Sequence, residues 1–284
     1  MTSTAVARTL SGVPRQLKDM VVAITGASAG IGQTLARQLD ARGARLALCA
    51  RRLDRLEALN RELGSRHLVM RVDVASPAEC AMFVRGTIEH FGRLDTLVAN
   101  AGYGQYRLTH EMSGEDVRKM FATNVFGTTD LIHAAVPHML TQDPRDGVRG
   151  QVMIVSSAAA RRGVPYLGPY AATKAAQLSI AEALRVELRG RGVAVTSVHP
   201  VMTSTEFGDV AEFGGDVKLP RMRGPRQTVD HVARAMLRAI ERPKPEVWPH
   251  QFTRVQLAFA ALFPRVADFI MAKYHQGVEE ANRR

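Results

Sequence analysis

The feature that most limits how this chain can fold is a repeated alternation of short apolar runs with longer helical segments. "MVVAIT" (20–25) is apolar throughout, as a strand buried on both faces of a sheet must be. A glycine turn and a helical segment follow, to about residue 42. "ARLALCA" (44–50), "HLVMRVD" (67–73), "LDTLVAN" (94–100), "QVMIVS" (151–156) and "VAVTSVH" (193–199) repeat the run. Helical patterns at 52–63, 76–91, 113–140 and 169–190 stand among them. This order predicts a parallel sheet covered by helices on both faces, an α/β doubly wound fold. Ligands of such sheets bind beyond the carboxyl ends of the strands, so the residues just after each run are the informative ones.

A chain of 284 residues with 46% hydrophobic content can bury one substantial core. There is no Pro/Ser-rich linker and no fixed-period repeat, which predicts a single domain. Within it we read a polar N-terminal tail (1–18), a main body (19–250) and an apolar helical C-terminal extension (251–284). The net charge is +11, but the arginines are scattered, without the basic stripe that nucleic-acid binding needs. A small anionic cofactor would also suit that charge. Cys49 and Cys80 have no paired spacing, which argues against a disulfide framework or a metal site and for a reducing, cytoplasmic compartment. The N-terminus has no apolar signal core. No uninterrupted apolar run approaches the ~20 residues that span a bilayer.

"TGASAGIG" (25–32) lies between the first strand and the first helix. Gly26 permits a tight turn. Gly30 and Gly32, with Ser28 and Ile31 beside them, bring bare backbone to the helix start, where free N–H groups and the helix dipole favour a pyrophosphate. A lone glycine pattern is weak evidence. A strand before it and a helix after it, in a repeating β-α frame, make it a dinucleotide turn of Rossmann-like type. An acid on the ribose 2′-hydroxyl, expected about 20 residues further on, would mark NAD. The second strand ends instead in Ala50, Arg51 and Arg52. Two arginines at a helix start oppose the helix dipole unless an anion sits beside them, and a 2′-phosphate would supply one. NADP is therefore favoured over NAD, with two solvated arginines as the bland alternative. Asp73, followed by Val74, ends the third strand. It is a candidate for the adenine edge or, in competition with Ser76, a helix cap.

"GPYAATKAAQ" (168–177) opens a helix that is otherwise plain and alanine-rich. Tyr170 and Lys174 are four residues apart and share a face. A phenol with a pKa near ~10 is a poor base at neutral pH, and an adjacent ammonium would bring it down toward a useful range. Ser157 ends the strand before, and its hydroxyl could meet an oxygen on which charge develops.

"TGASAGIG", "NAG" (100–102), Asn124, Ser157 and "YAATK" (170–174) together resemble the short-chain dehydrogenase/reductase family, over about residues 19–250. The resemblance implies that Tyr170 is the general acid/base and that Lys174 lowers its pKa and holds the nicotinamide ribose. It implies that Ser157 orients and polarises a carbonyl, that Asn124 holds a water in the proton relay, and that Asn100, Ala101 and Gly102 support the sheet beside the cofactor. The turn spacing Gly-x3-Gly-x-Gly resembles the reductase/dehydrogenase branch rather than the epimerases. The chain departs from the family at "HPVMTSTEF" (199–207), with Val201 where glycine is expected. Thr205 keeps the family's threonine position, and the resemblance implies that it contacts the cofactor carboxamide.

Residues 202–225, with Phe207 and Phe213 among glycines, occupy the place of a substrate lid. Beyond them, "QFTRVQLAFAALFPRVADFIMAKY" (251–274) is strongly apolar and broken by Pro264. We read it as a docked helix that completes the core or a dimer contact, with an interfacial membrane helix and a pocket wall as alternatives. The expected function is hydride transfer between NADP(H) and an apolar ketone or secondary alcohol by a homo-oligomer. A non-catalytic NADP-sensing or scaffold protein is the alternative, and the intact serine, tyrosine and lysine weigh against it.

Overall fold

In the computed structural model, which describes residues 14–204 and 227–283, β1 (Val21–Thr25) is buried along its whole length. It pairs in parallel with β2 (Arg45–Ala50) on one side and β4 (Thr96–Ala99) on the other. β3 (Leu68–Arg71), β5 (Gly150–Val155), β6 (Val193–Val198) and β9 (Glu246–Val247) complete a seven-stranded sheet of order β3-β2-β1-β4-β5-β6-β9. Every pairing within it is parallel. The chain winds from the centre to one edge, returns to β4 and winds to the other. The strand order thus reverses between β1 and β4, and the expected α/β doubly wound sheet is the fold observed. Two further two-residue strands, β7 (Thr203–Ser204) and β8 (Gln227–Thr228), pair with each other.

Alternate residues of one strand feed opposite cores. Val22 and Ile24 join Leu35 and Leu39 of α1 (Gly30–Asp40), Leu56 of α2 (Leu53–Glu62) and Met236 of α7 (Val229–Glu241). Val21 and Ala23 join Phe83 of α3 (Pro77–Phe91), Leu131 of α5 (Gly127–Thr141) and Leu184 of α6 (Gly168–Glu187). This period-2 split is why β1 must be apolar at every position. α3 shows how local chemistry sets the ends of a helix. Ser76 Oγ accepts from the Glu79 N–H, Pro77 fills the first turn, and Gly92 closes it at φ +77°.

Three expectations change. The helix expected over 113–140 is α4 (Gly114–Phe121) joined to α5 by a π-helical turn, Ala122–Phe126. Such a turn widens the backbone and marks functional positions, and Asn124 lies in it. The polar segment expected over 1–18 does not stay polar at its end, where Leu17 and Arg15 are buried. The guanidinium of Arg15 donates to Thr96 Oγ1 (3.2 Å), Gln151 Oε1 (3.0 Å), Ile240 O (3.3 Å) and Asp95 O (3.1 Å). It ties the amino ends of β4 and β5 to α7, and burial pulls its pKa down only to about 10, so it stays charged. The apolar tail is two helices, α8 (Gln251–Leu262) and α9 (Pro264–Arg283), bent by 115° at Pro264, and no residue of α8 is buried. α8 therefore does not complete the core. Most of the expected lid, with Thr205, Phe207 and Phe213, lies outside the described residues.

Arg15→Ala should lower the urea-unfolding free energy by about 1–3 kcal/mol, because it strands buried acceptors on three elements. A variant as stable as the parent would show that this staple contributes nothing.

Candidate active site

The site lies at the carboxyl ends of β1, β4 and β5. After Thr25 the chain turns through Gly26 (φ +66°) and enters α1 at Gly30 (φ +58°), both in the left-handed region that glycine tolerates. The residue before α1, Ala29, makes no side-chain cap, and the first turn holds no acid. Its N–H groups are the donors an anion needs. A Cβ on Gly32 would sit 2.7 Å from both Asn100 Nδ2 and Gly26 O, so only glycine lets the helix close on the turn. Asn100 Nδ2 donates to Thr25 O (2.9 Å), and Thr25 Oγ1 accepts from the N–H groups of Asn100 (3.1 Å) and Ala101 (3.0 Å). These bonds lock the end of β4 to the end of β1 where the strand order reverses. Ile31 packs on the core below.

Arg52 is half-buried and its guanidinium donates to Ser28 Oγ (3.3 and 3.1 Å), while Arg51 is exposed. The two expected arginines are thus distinguished by position. Arg52 reaches the glycine turn, and Arg51 stands outside it at the end of β2. Ser76 takes the cap of α3, which leaves Asp73 to accept from the Ala75 N–H (3.0 Å) at the end of β3. Val74 is buried beside it.

The remaining residues converge from three elements. Tyr170 and Lys174 share the inner face of α6, with Lys174 Nζ 5.7 Å from the Tyr170 ring centre. Ser157 follows β5, and its hydroxyl hydrogen-bonds the Tyr170 phenol. Asn124 is fully buried; its Oδ1 accepts from the Tyr103 N–H (3.0 Å), and its Nδ2 donates to Tyr103 O (2.8 Å) and Thr173 Oγ1 (3.0 Å). Asn124 therefore holds the loop after Gly102 against α6. A Cβ on Gly102 would come within 3.0 Å of Asn124 Oδ1 and 3.4 Å of Lys174 Nζ.

Two residues that the sequence reading passed over complete the cluster. Gln177 is buried; its Nε2 donates to Asn124 O (2.7 Å) and Thr128 Oγ1 (2.9 Å), and its Oε1 accepts from Lys174 Nζ (2.9 Å). Lys174 Nζ also donates to Val155 O (2.9 Å). The Gln177 carboxamide thus connects the backbone of Asn124 to Lys174 Nζ. The signal was present in the sequence, since a lone glutamine three residues beyond Lys174 shares its helical face. The second residue is His199, fully buried and stacked on Trp248 with ring centres 4.4 Å apart. Its Nδ1 lies 3.3 Å from Ser157 O, which can only accept, so Nδ1 carries the proton and Nε2 pairs with Ser197 Oγ (3.0 Å). His199 steadies the backbone that presents Ser157.

Electrostatics reverse one expectation. Burial pushes the Tyr170 phenol up to about 12, against the pull of the Ser157 hydrogen bond. Burial also pulls the Lys174 amine down to about 7. Desolvation is the largest cause of both shifts, and the amine's donors are directed at Val155 O and Gln177 Oε1. At neutral pH the phenol keeps its proton, which fits it to protonate a nascent alkoxide. Above the phenol, Tyr106, Tyr166, Leu167 and Val278 form a buried cluster against which Tyr170 and Tyr274 pack, so α9 supplies part of the wall.

Residues 20–212 match the family model described as short chain dehydrogenase. The chain is 33% identical over 257 residues to the 11-beta-hydroxysteroid dehydrogenase-like 3 of Arabidopsis thaliana, covering 88% of this chain and 79% of that protein. It resembles the alcohol dehydrogenase from the archaeon Thermococcus sibiricus complexed with 5-hydroxy-NADP, with TM-score 0.69 and 29% identity over 80% of this chain and 94% of that one. A short chain dehydrogenase/reductase from Burkholderia phymatum in complex with NAD shares the fold, with TM-score 0.79 at 22% identity over 89% of this chain and 96% of that one. The chain belongs to the short-chain dehydrogenase/reductase family of oxidoreductases, whose Rossmann-like fold it shares.

Gln177→Leu should cost about 1–3 kcal/mol in urea unfolding, since it leaves Lys174 Nζ and Asn124 O short of partners. A pH signature should come from His199, which burial pulls down from 6.5 to about 4. Between those values the unfolded chain binds a proton that the folded one refuses, so stability falls as pH drops through the window. His199→Phe removes that titration, and its unfolding free energy should decline less steeply than the parent's from about pH 7 to pH 4.5. Equal slopes would show that His199 does not couple to folding.

Proposed function

We propose that the protein is an NADPH-dependent carbonyl reductase that acts on bulky, apolar ketones. The observation that carries this reading is the protonated Tyr170 phenol, hydrogen-bonded to Ser157 and held beside Lys174, at the strand ends next to an uncapped helix start. The donors of that helix start, the close approach at Gly32 and the Arg52–Ser28 contact fit a phosphorylated dinucleotide. Gly26, Gly30 and Gly32 would take the pyrophosphate, Arg52 and Ser28 the 2′-phosphate with Arg51 adding charge from outside, Asp73 and Val74 the adenine side, and Asn100, Ala101 and Gly102 the inner ribose side with Lys174. When bound, NADPH supplies the hydride for the carbonyl carbon. Ser157 orients the carbonyl oxygen, and Tyr170 delivers its proton to that oxygen as the negative charge forms. Lys174, held in place by Gln177 and Val155, stands ready to offset the phenolate that remains.

An apolar substrate is supported by the aromatic and aliphatic cluster around Tyr170. At ~25 cal/mol per Å2, a long hydrocarbon gains several kcal/mol from such walls. The fully buried free thiols of Cys49 and Cys80 suit a reducing cytoplasm. Exposed Phe126 and Val186, on the helices next to the site, favour a homo-oligomer, which light scattering would test.

Tyr170→Phe should abolish turnover of an accepted ketone while cofactor binding is retained, and a variant that keeps most of its activity would refute the assignment. Arg52→Ala should raise KM for NADPH by about tenfold and leave KM for NADH nearly unchanged. Equal use of the two cofactors by the parent would end the NADP reading. Across ketones of rising chain length, kcat/KM should climb, and a flat series or a preference for a charged ketone would overturn the substrate class. Cofactor binding with no turnover of any carbonyl or alcohol would point to a sensor on the same fold.

A further inference from the structure

The first helix of the C-terminal pair has no place in the reaction, although the second reaches the site wall. α8 buries none of its residues. Phe252, Val255, Phe259 and Leu262 recur at spacings of three and four, which puts them on one stripe. Phe252 is 64% and Leu262 76% exposed. Beyond the bend, Phe269 and Ile270 of α9 continue the apolar surface, and a cleft of ≈ 350 Å3 lies between the two helices. A soluble monomer rarely leaves this much contiguous apolar surface in water. No single helix among the described residues is long and apolar enough to cross a bilayer. The 12 residues of α8 reach about 18 Å, short of the ~30 Å hydrocarbon core.

We infer that the α8–α9 pair is a docking element for an anionic lipid surface, with the apolar stripe seated at the acyl boundary and the cations of the pair among the headgroups. Charge selects this occupant. Within 251–274 stand Arg254, Arg265 and Lys273 against one acid, Asp268. Asp268 is paired with Arg162 and Arg254 with Glu246 (3.7 Å), and Arg265 and Lys273 add positive charge that neither of these pairs takes up. Lys273 lies over the Phe269 ring, 4.6 Å from its centre, which places an ammonium at the edge of the apolar surface. Each basic residue near an anionic leaflet raises affinity about fivefold. A second copy would bring the same three cations into opposition, on a chain whose net charge is +11.

The surface is also tied to the site. Arg162, just past the turn that follows Ser157, donates to Pro264 O (3.4 Å) and to the Asp268 carboxylate, holding the bend in place. α9 then runs inward to Tyr274 and Val278, which meet the cluster around Tyr170. A protein seated in this way would hold its reaction chamber next to the bilayer, where an apolar ketone partitions. The docking itself does not rest on the proposed reaction and is tested without it.

The test is flotation of the full chain with vesicles of phosphatidylcholine alone and of equal parts phosphatidylcholine and phosphatidylglycerol. The parent should float with the anionic vesicles and stay behind with the neutral ones, and added salt should weaken the association. The double variant F252E/F259E should bind about tenfold or more weakly, with an unchanged melting temperature because both side chains are exposed. R265E/K273E should lose the preference for anionic vesicles while keeping its fold, since both side chains are exposed. The inference fails if the parent floats with neither vesicle, or if F252E/F259E binds as the parent does. It also fails if light scattering shows a dimer that F252E/F259E splits while neither protein binds lipid; the face would then join two copies.

Discussion

An ammonium in the middle of a buried helix face must have its donors met, and that requirement organises the site. Lys174 Nζ reaches Val155 O on β5 and Gln177 Oε1 one turn along α6. Gln177 in turn needs acceptors, and it finds Asn124 O and Thr128 Oγ1. Asn124 O is within reach because the chain makes a π turn at 122–126. The Asn124 carboxamide then holds Tyr103 and Thr173. One buried charge thus couples β5, α6, the π turn and the loop after β4. Desolvation draws the amine to about 7 even so, which is the cost of placing it there.

The cofactor side rests on a different constraint, the close packing of two strand ends. Thr25 holds Asn100 and Ala101 where the sheet reverses its winding, and Gly32 leaves room for the Asn100 amide. The turn, the helix start and the catalytic face of α6 are therefore referred to one rigid frame. Binding a dinucleotide and reacting beside it require that common reference.

The tail links surface to chemistry. Pro264 breaks an apolar stretch that composition alone leaves continuous, and the 115° bend gives its halves different environments. α8 stays in contact with solvent, whereas α9 buries Ala267 and Val278 and brings Tyr274 to the aromatic wall. The apolar residues of one segment thus serve two surfaces.

The apolar runs at 20–25, 44–50, 94–100 and 151–156 were sufficient to place the central strands, because a strand buried on both faces has no polar option. Tyr170, Lys174 and Ser157 were legible for a similar reason, since helical spacing and a strand end fix them locally. The sequence alone could not weigh desolvation against charge, so it anticipated a lowered phenol where burial raises it to about 12. Nor could it separate Arg51 from Arg52, which differ only in the direction the chain takes on leaving β2. It could not show that Arg15 is buried or that Gln177 bridges to Asn124 53 residues away. What the sequence determined by itself was periodicity and local geometry, which act within a few residues. Burial, and the partners that burial demands, were decided only by tertiary structure, because they depend on which distant segments exclude water from each group.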